Sequence, residues 1–319
     1  MSDYPLGYPL ASNASSESPL ADRPQAQELA ANDGAPRGTT PTQPRHRAHI
    51  TTAIICDIDR QLSDRDRAIL RSVSAHQFLT VRQIRILHFA ELAPTSGRRT
   101  AKRVLARLRD LRVLGAMAQR VGGVRAGSDG LVHYVDVAGE RLLNEQIRRS
   151  RKHRHEPTAR FVSHRLAVAD AHIGLIGANR DNSIELIDSA VEPVAWRTFT
   201  GLGAARRTLK PDLFAETATH DGLVRAWFIE IDLSTESVPT LLTKCREYEA
   251  YRQTGVEQDR HGSFPLVVWS MTHPDLAKAE RRRHALADAI DKDRNLPNAL
   301  FRIVTPEGLL PLIQNGDAQ

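Results

Sequence analysis

Three carboxylates and a lysine within residues 209–251 have the types and spacing to hold a cation: Asp212, Glu230, Asp232 and Lys244. LKPDLFAETA alternates as a strand does, THDG supplies an Asp-Gly turn, and LVRAWFIEID reads as a second strand rich in aromatic and β-branched residues. The acids then stand at the ends of two neighbouring strands. Thr235 or Ser237 can cap a helix with Leu241, Leu242, Cys245 and Tyr248 at helical spacing, which puts Lys244 behind the acids. Clustered carboxylates repel one another, so a fold that gathers them usually places a cation between them. Arg206, Arg207 and Lys210 arrive just before Pro211-Asp212, a convergence that suits a phosphate backbone delivered to the mouth of the site.

Pro211-Asp212, then Glu230-Ile231-Asp232, then Lys244 resemble the PD-(D/E)xK nuclease core. One position departs: Asp232 stands where the usual motif has its lysine, and related nucleases recruit that lysine from the following helix, where Lys244 lies. HRLAVAD at 164–170, LKPDLF at 209–214, EIDLSTES at 230–237 and KCREYEAY at 244–251 resemble the replication-relaxation family of actinobacterial plasmids and integrative elements. The resemblance implies Asp212 and Glu230 as principal ligands of Mg²⁺ or Mn²⁺, Asp232 as a further ligand or a hydrogen-bonded support, and Asp212, Glu230 and Lys244 as the catalytic set. It further implies Tyr248 and Tyr251 near the phosphate or the water, and Asp170, matching HxLxVxD, as a supporting acid. His164 reads as a structural residue near a helix start.

Composition bounds the rest. A chain of 319 residues with 41% hydrophobic residues can bury two modest cores. Its two cysteines, Cys56 and Cys245, lie in no CxxC or CxxH setting, which argues against a disulfide framework or a zinc site and fits a reducing cytoplasm. No run of 18 apolar residues offers a membrane span, and the first residues lack a basic-then-apolar leader pattern, so no membrane partner is expected. Charge is segregated: residues 51–156 carry 21 basic against 11 acidic residues, whereas 157–319 carry 19 against 22. A polyanion is the natural partner of the central segment, and double-stranded DNA is the one its pattern suits.

That pattern is helix, helix, helix, hairpin. Residues 1–48 are rich in Ala, Ser, Pro and Gly and read as a disordered tail. Ser63 with Asp66 caps a first helix, and Thr80 caps a second with Ile84, Ile86 and Leu87 inside. A third starts near Thr95 or Ser96 and runs to Leu114, ended by Gly115. Ala101, Val104, Leu105, Leu108 and Leu111 form its apolar face, while Arg98, Arg99, Lys102, Arg103 and Arg107 crowd the rest. Two short strands around a Gly-rich tip follow, with Arg120 and Arg125 near that tip. Residues 60–143 therefore read as a winged helix-turn-helix, its basic helix in the major groove and its wing on phosphates. A basic connector covers 144–158. Residues 159–315 read as a three-layer α/β domain with a mixed sheet, in which 195–208 is an irregular loop, and the resemblance implies that this domain is restriction-endonuclease-like.

Two function classes follow. One is a metal-dependent DNA nicking or cleaving enzyme of a plasmid or mobile element, acting with other replication or mobilisation proteins. The other is a non-catalytic DNA-binding replication, mobilisation or transcription factor with a degenerate nuclease-like domain. No tyrosine-and-histidine cluster of conjugative relaxases and no Walker motif occurs in the chain.

Overall fold

Short-range signals build the first half of the molecule, described here from a computed structural model covering residues 50–117, 130–143, 157–201, 205–220 and 222–316. The stretches expected to form a tail, a wing tip with Arg120 and Arg125, and, over 144–156, a connector lie outside the described residues. Helix α1 (Thr52–Gln61) precedes the elements expected from the sequence; its Thr51 cap and buried Ile55 and Ile58 carry a helical signal of their own. Helix α2 (Asp64–His76) starts at the expected capping box of Ser63 and Asp66. Strand β1 (Leu79–Thr80) leads into α3 (Val81–His88), whose capping box joins Thr80 and Gln83.

Helix α4 (Pro94–Asp110) differs from expectation at both ends. Pro94 opens it, a position where the missing N–H costs nothing. It stops four residues early because Arg112 takes a left-handed conformation at φ 57, and the Val113 amide donates back to the Leu108 carbonyl at 2.9 Å. That closure normally uses glycine; here a bond from Arg112 to Asp136 at 3.2 Å accompanies it. Gly115 instead lies in strand β2 (Leu114–Ala116), opposite Tyr134 of β3 (Val132–Val135). A Cβ there would sit 2.3 Å from the Tyr134 ring, so this glycine makes room for an aromatic rather than ending a helix. Helix α5 (Val137–Leu143) follows, and the small antiparallel sheet has the order β1-β3-β2.

The second half is a mixed α/β arrangement around a five-stranded sheet of order β10-β9-β8-β7-β4. Its strands are β4 (Glu185–Val191), β7 (Leu213–Ala218), β8 (Val224–Asp232), β9 (Leu266–Met271) and β10 (Phe301–Val304). Strands β8, β9 and β10 run parallel, while β4, β7 and β8 pair antiparallel. On β8 the even-numbered Ala226 and Phe228 pack towards α7 (Val238–Arg252) and α9 (Leu276–Lys292). The odd-numbered Trp227, Ile229 and Ile231 pack towards α6 (Ala159–Arg180) and α10 (Pro306–Gln314). Period-two alternation thus gives one strand two cores. Between β4 and β7 the expected irregular loop is a two-stranded hairpin, β5 (Arg197–Thr200) and β6 (Arg206–Leu209). A short helix α8 (Val256–His261) links α7 to β9.

Helix α6 serves both halves. Val168, Leu175 and Ala178 enter the core of the large sheet, whereas Ala169 and Ile173 enter the core of the helical half. Gln83 Nε2, held by its capping box, donates to the Leu166 carbonyl and to Asp170 Oδ1, each at 2.9 Å. The buried Arg165 guanidinium donates to Glu192 and to the His76 carbonyl.

Packing where α5 meets α4's exit is tight enough to test. A Cβ on Gly139 would lie 2.2 Å from the Val113 carbonyl oxygen and 2.9 Å from Leu70 Cδ1. Alanine gains up to about 1 kcal/mol of helix propensity, but overpacking against a fixed backbone costs about 1–3 kcal/mol or more. Gly139→Ala should therefore lower the urea midpoint without changing the denaturant slope.

Candidate functional site

Backbone pairing delivers the acids. Register sets Leu213 opposite Ile229, which brings Asp212, just ahead of β7, beside the carboxyl end of β8. Asp212 Oδ2 accepts the Ile231 amide at 2.8 Å, and Oδ1 accepts His164 Nε2 at 3.1 Å. Glu230 is 1% exposed. Its Oε2 lies 2.5 Å from Lys244 Nζ, and its Oε1 accepts the Tyr248 hydroxyl. Lys244 and Tyr248 sit one turn apart on α7, whose cap is Ser237 rather than Thr235, so a single helix face supplies both partners.

The electrostatics follow from burial and these neighbours. Burial alone would raise the Asp212 carboxyl, but the His164 hydrogen bond, the Lys244 charge and the Ile231 N–H outweigh it and hold the group below its ordinary value. Burial pushes Glu230 up to about 8, with the Asp212 charge adding to the effect and Lys244 opposing it. Burial works against the Lys244 charge, yet Glu230 and Asp212 keep it firmly protonated. Burial lowers His164 as well, and the hydrogen bond to Asp212 more than offsets this, raising the imidazole above 6.5. Burial and the Glu230 charge push the Tyr248 hydroxyl well above 10.0, so it stays a donor.

The other expected site residues go elsewhere. Asp232 points its carboxylate at Arg282 of α9, with Nε–Oδ2 at 2.5 Å and Nη2–Oδ1 at 3.1 Å, a two-pronged pair. Among the described residues no three His, Cys, Asp or Glu side chains gather as a metal-holding group. Asp170 is not brought to the acids: it accepts Gln83 at 2.9 Å and stands 3.5 Å from Arg82, where the two halves meet. His164, assigned only a structural role from the sequence, is the α6 residue that reaches Asp212. The signal was its spacing, since His164 and Asp170 lie six residues apart on α6 and so face different ways. Tyr251 donates to Glu257 at 2.6 Å, away from Glu230. Arg282 was missed, although the Arg281-Arg282-Arg283 run marked α9 as a source of cations.

On α4, Arg98, Arg99, Lys102, Arg103 and Arg107 are all exposed. Arg107 is engaged within the fold, its Nη2 2.6 Å from buried Asp66 at the start of α2.

Fold and site together define a mixed α/β protein. An acid pair lies at the mouth of two antiparallel strands, with a lysine and a tyrosine supplied by the next helix. The sequence profile of the replication-relaxation family matches residues 70–267, and the chain belongs to that family. The match spans α2 to β9 and contains His164, Asp212, Glu230 and Lys244, while Arg282 lies beyond it. Membership suggests a role in the replication or relaxation of plasmid or mobile-element DNA. No curated protein and no solved structure matches the chain.

The His164–Asp212 bond carries a pH signature. A group whose folded value is raised contributes stability in full below its unfolded value, here 6.5, and loses it as pH rises through the folded value. His164→Gln can keep a donor but cannot ionise. Its stability deficit should be about 1 kcal/mol near pH 5.5 and should shrink as pH rises above 6.5. Urea midpoints measured for both proteins from pH 5 to 9 give this difference; a constant gap would mean that the charge contributes nothing.

Proposed function

We propose that the chain is a DNA-binding protein of plasmid or mobile-element replication that nicks or cleaves DNA at a PD-(D/E)xK-like site. The observation that carries the reading is the joining of Asp212 and Glu230 on paired strands to Lys244, whose Nζ is 2.5 Å from Glu230, from the following helix. Two hard carboxylates suit Mg²⁺ or Mn²⁺, which commonly bind through one or two protein acids and complete their shell with water and phosphate. Asp212 and Glu230 are the residues that would hold the ion. When bound, it supplies Lewis-acid stabilisation of the phosphate and acidifies a water. His164 holds a proton on Nε2 against Asp212 and fixes that carboxylate's orientation. Lys244 keeps its proton and offers its N–H donors to a phosphate oxygen. Asp232, occupied by Arg282, acts as a support rather than a ligand.

DNA engagement is assigned to the helical half. Its order α2-β1-α3-α4-β2-β3, with sheet order β1-β3-β2, supports a winged helix-turn-helix. The exposed Arg99, Lys102 and Arg103 on α4 support a phosphate-tracking and groove-entering role. DNA is the principal partner, other replication or mobilisation proteins are expected alongside it, and the cytoplasm is the expected compartment.

A second reading, a DNA-binding factor with an inactive nuclease-like half, is favoured by the Asp232–Arg282 pair. A supercoiled plasmid incubated with Mg²⁺ or Mn²⁺ separates the two. Nicking by the wild type, abolished in Asp212→Ala and in Lys244→Met, supports the first. Intact plasmid under every condition, with DNA still bound, leaves the second. In either case the triple variant Arg99→Ala, Lys102→Ala, Arg103→Ala should bind duplex more weakly. Its log–log salt slope should be shallower by about 0.9 for each phosphate that the variant no longer neutralises.

A further inference from the structure

The turn that closes on the acid pair carries an exposed aromatic surface that neither the core nor the cutting chemistry uses. Trp196 is 37% exposed and Val194 76%, whereas the chain's other tryptophans, Trp227 and Trp269, are 0% and 2% exposed. The turn is tied to the site through the backbone: the Glu192 amide donates to the Asp212 carbonyl at 3.1 Å, and the Trp196 amide donates to the Pro193 carbonyl at 3.2 Å. Lys210, two residues before Asp212, holds its Nζ 4.9 Å from the Trp196 ring centroid. Arg206 stands exposed on β6, the strand that runs into Lys210, while its neighbour Arg207 turns to the other face, towards Glu247 of α7.

A single exposed apolar residue is ordinary on a protein surface. The combination here is not: an indole, two cations on the ribbon beside it, and a backbone tie to Asp212. An unpaired nucleotide offers what this surface lacks, a flat apolar base to cover the ring and a phosphate to meet the cations. In a duplex the base faces are already stacked on one another, so the indole would gain little. We infer that Trp196, with Lys210 and Arg206, is a stacking site for an unpaired nucleotide of a DNA strand beside Asp212. The choice of DNA rests on the proposed function; the stacking itself does not require cutting.

The test uses the full chain in EDTA, so that no strand is cut, titrated with oligo(dT) of about 12 nucleotides. Tryptophan emission should be quenched, with the buried Trp227 and Trp269 as an unresponsive background. Trp196→Phe should lose the quench and bind an end-labelled oligo(dT) about tenfold more weakly by anisotropy, with an unchanged melting temperature. Trp196→Tyr should recover most of the affinity. Lys210→Gln, at an exposed position, should weaken binding and flatten its salt slope by about 0.7. Asp212→Ala should quench as the wild type does, and a wild type that quenches but leaves plasmid intact with Mg²⁺ or Mn²⁺ counts against the cutting reading alone. Wild-type affinity in Trp196→Phe would overturn the stacking site. Equal quenching by a blunt duplex would overturn the unpaired base, and tighter binding of oligo(rU) would overturn DNA as the ligand.

Discussion

The buried guanidinium of Arg165 is the constraint on which the rest of the molecule depends. It is 1% exposed, and it joins α6 to the end of α2 through the His76 carbonyl and to the turn before Trp196 through Glu192. A charge so placed is tolerable only while both partners hold their positions, because leaving it unpaired costs about 3–5 kcal/mol. Glu192 in turn donates its amide to Asp212, so the acid pair is registered to the helical half through two steps of hydrogen bonding. Gln83 makes a parallel tie from the start of α3 to α6. These links join α2 and α3 to α6 and to the turn that meets Asp212.

Within that frame the acid site is close to internally neutral. Asp212 is kept ionised by His164 and Lys244, whereas Glu230, fully enclosed, is pushed up to about 8. The two carboxyls therefore respond oppositely to pH. The depressed Asp212 contributes stability above 3.8 that disappears as pH falls through its folded value. The raised Glu230 contributes stability that is full below 4.5 and disappears as pH rises through about 8. Environments that push two carboxyls apart are how one site keeps an anion and a proton reservoir side by side.

The cations of the helical half divide into two kinds. Arg107 steadies the capping box at the start of α2 through Asp66, Arg109 meets His133 at 3.2 Å, and Arg112 closes α4 beside Asp136. Arg99, Lys102 and Arg103 face outward from α4. Sequence charge counts treat all of these alike. Within the fold, Arg107 and Arg112 are paired with carboxylates, whereas the field that a polyanion would meet is set by cations at the surface.

Local chemistry was legible from the sequence by itself. The caps at Ser63 and Thr80, the alternation of LKPDLFAETA and the aromatic, β-branched make-up of β8 each depend on residues a few positions apart, and the strand–turn–strand–helix stretch that places Asp212, Glu230 and Lys244 together is likewise nearly continuous in the chain. The family motif in the same stretch was legible for that reason. Tertiary structure decided whatever depends on residues far apart. It ended α4 at Asp110, closed by the left-handed Arg112, and led the chain into the pairing of Leu114 with Val135. It turned Asp232 towards Arg282, 50 residues away, and it exchanged Asp170 for His164 at the acid pair. It gave α6 two buried sides, because that helix packs against the helical half and the large sheet at once, and no local spacing encodes where those layers lie.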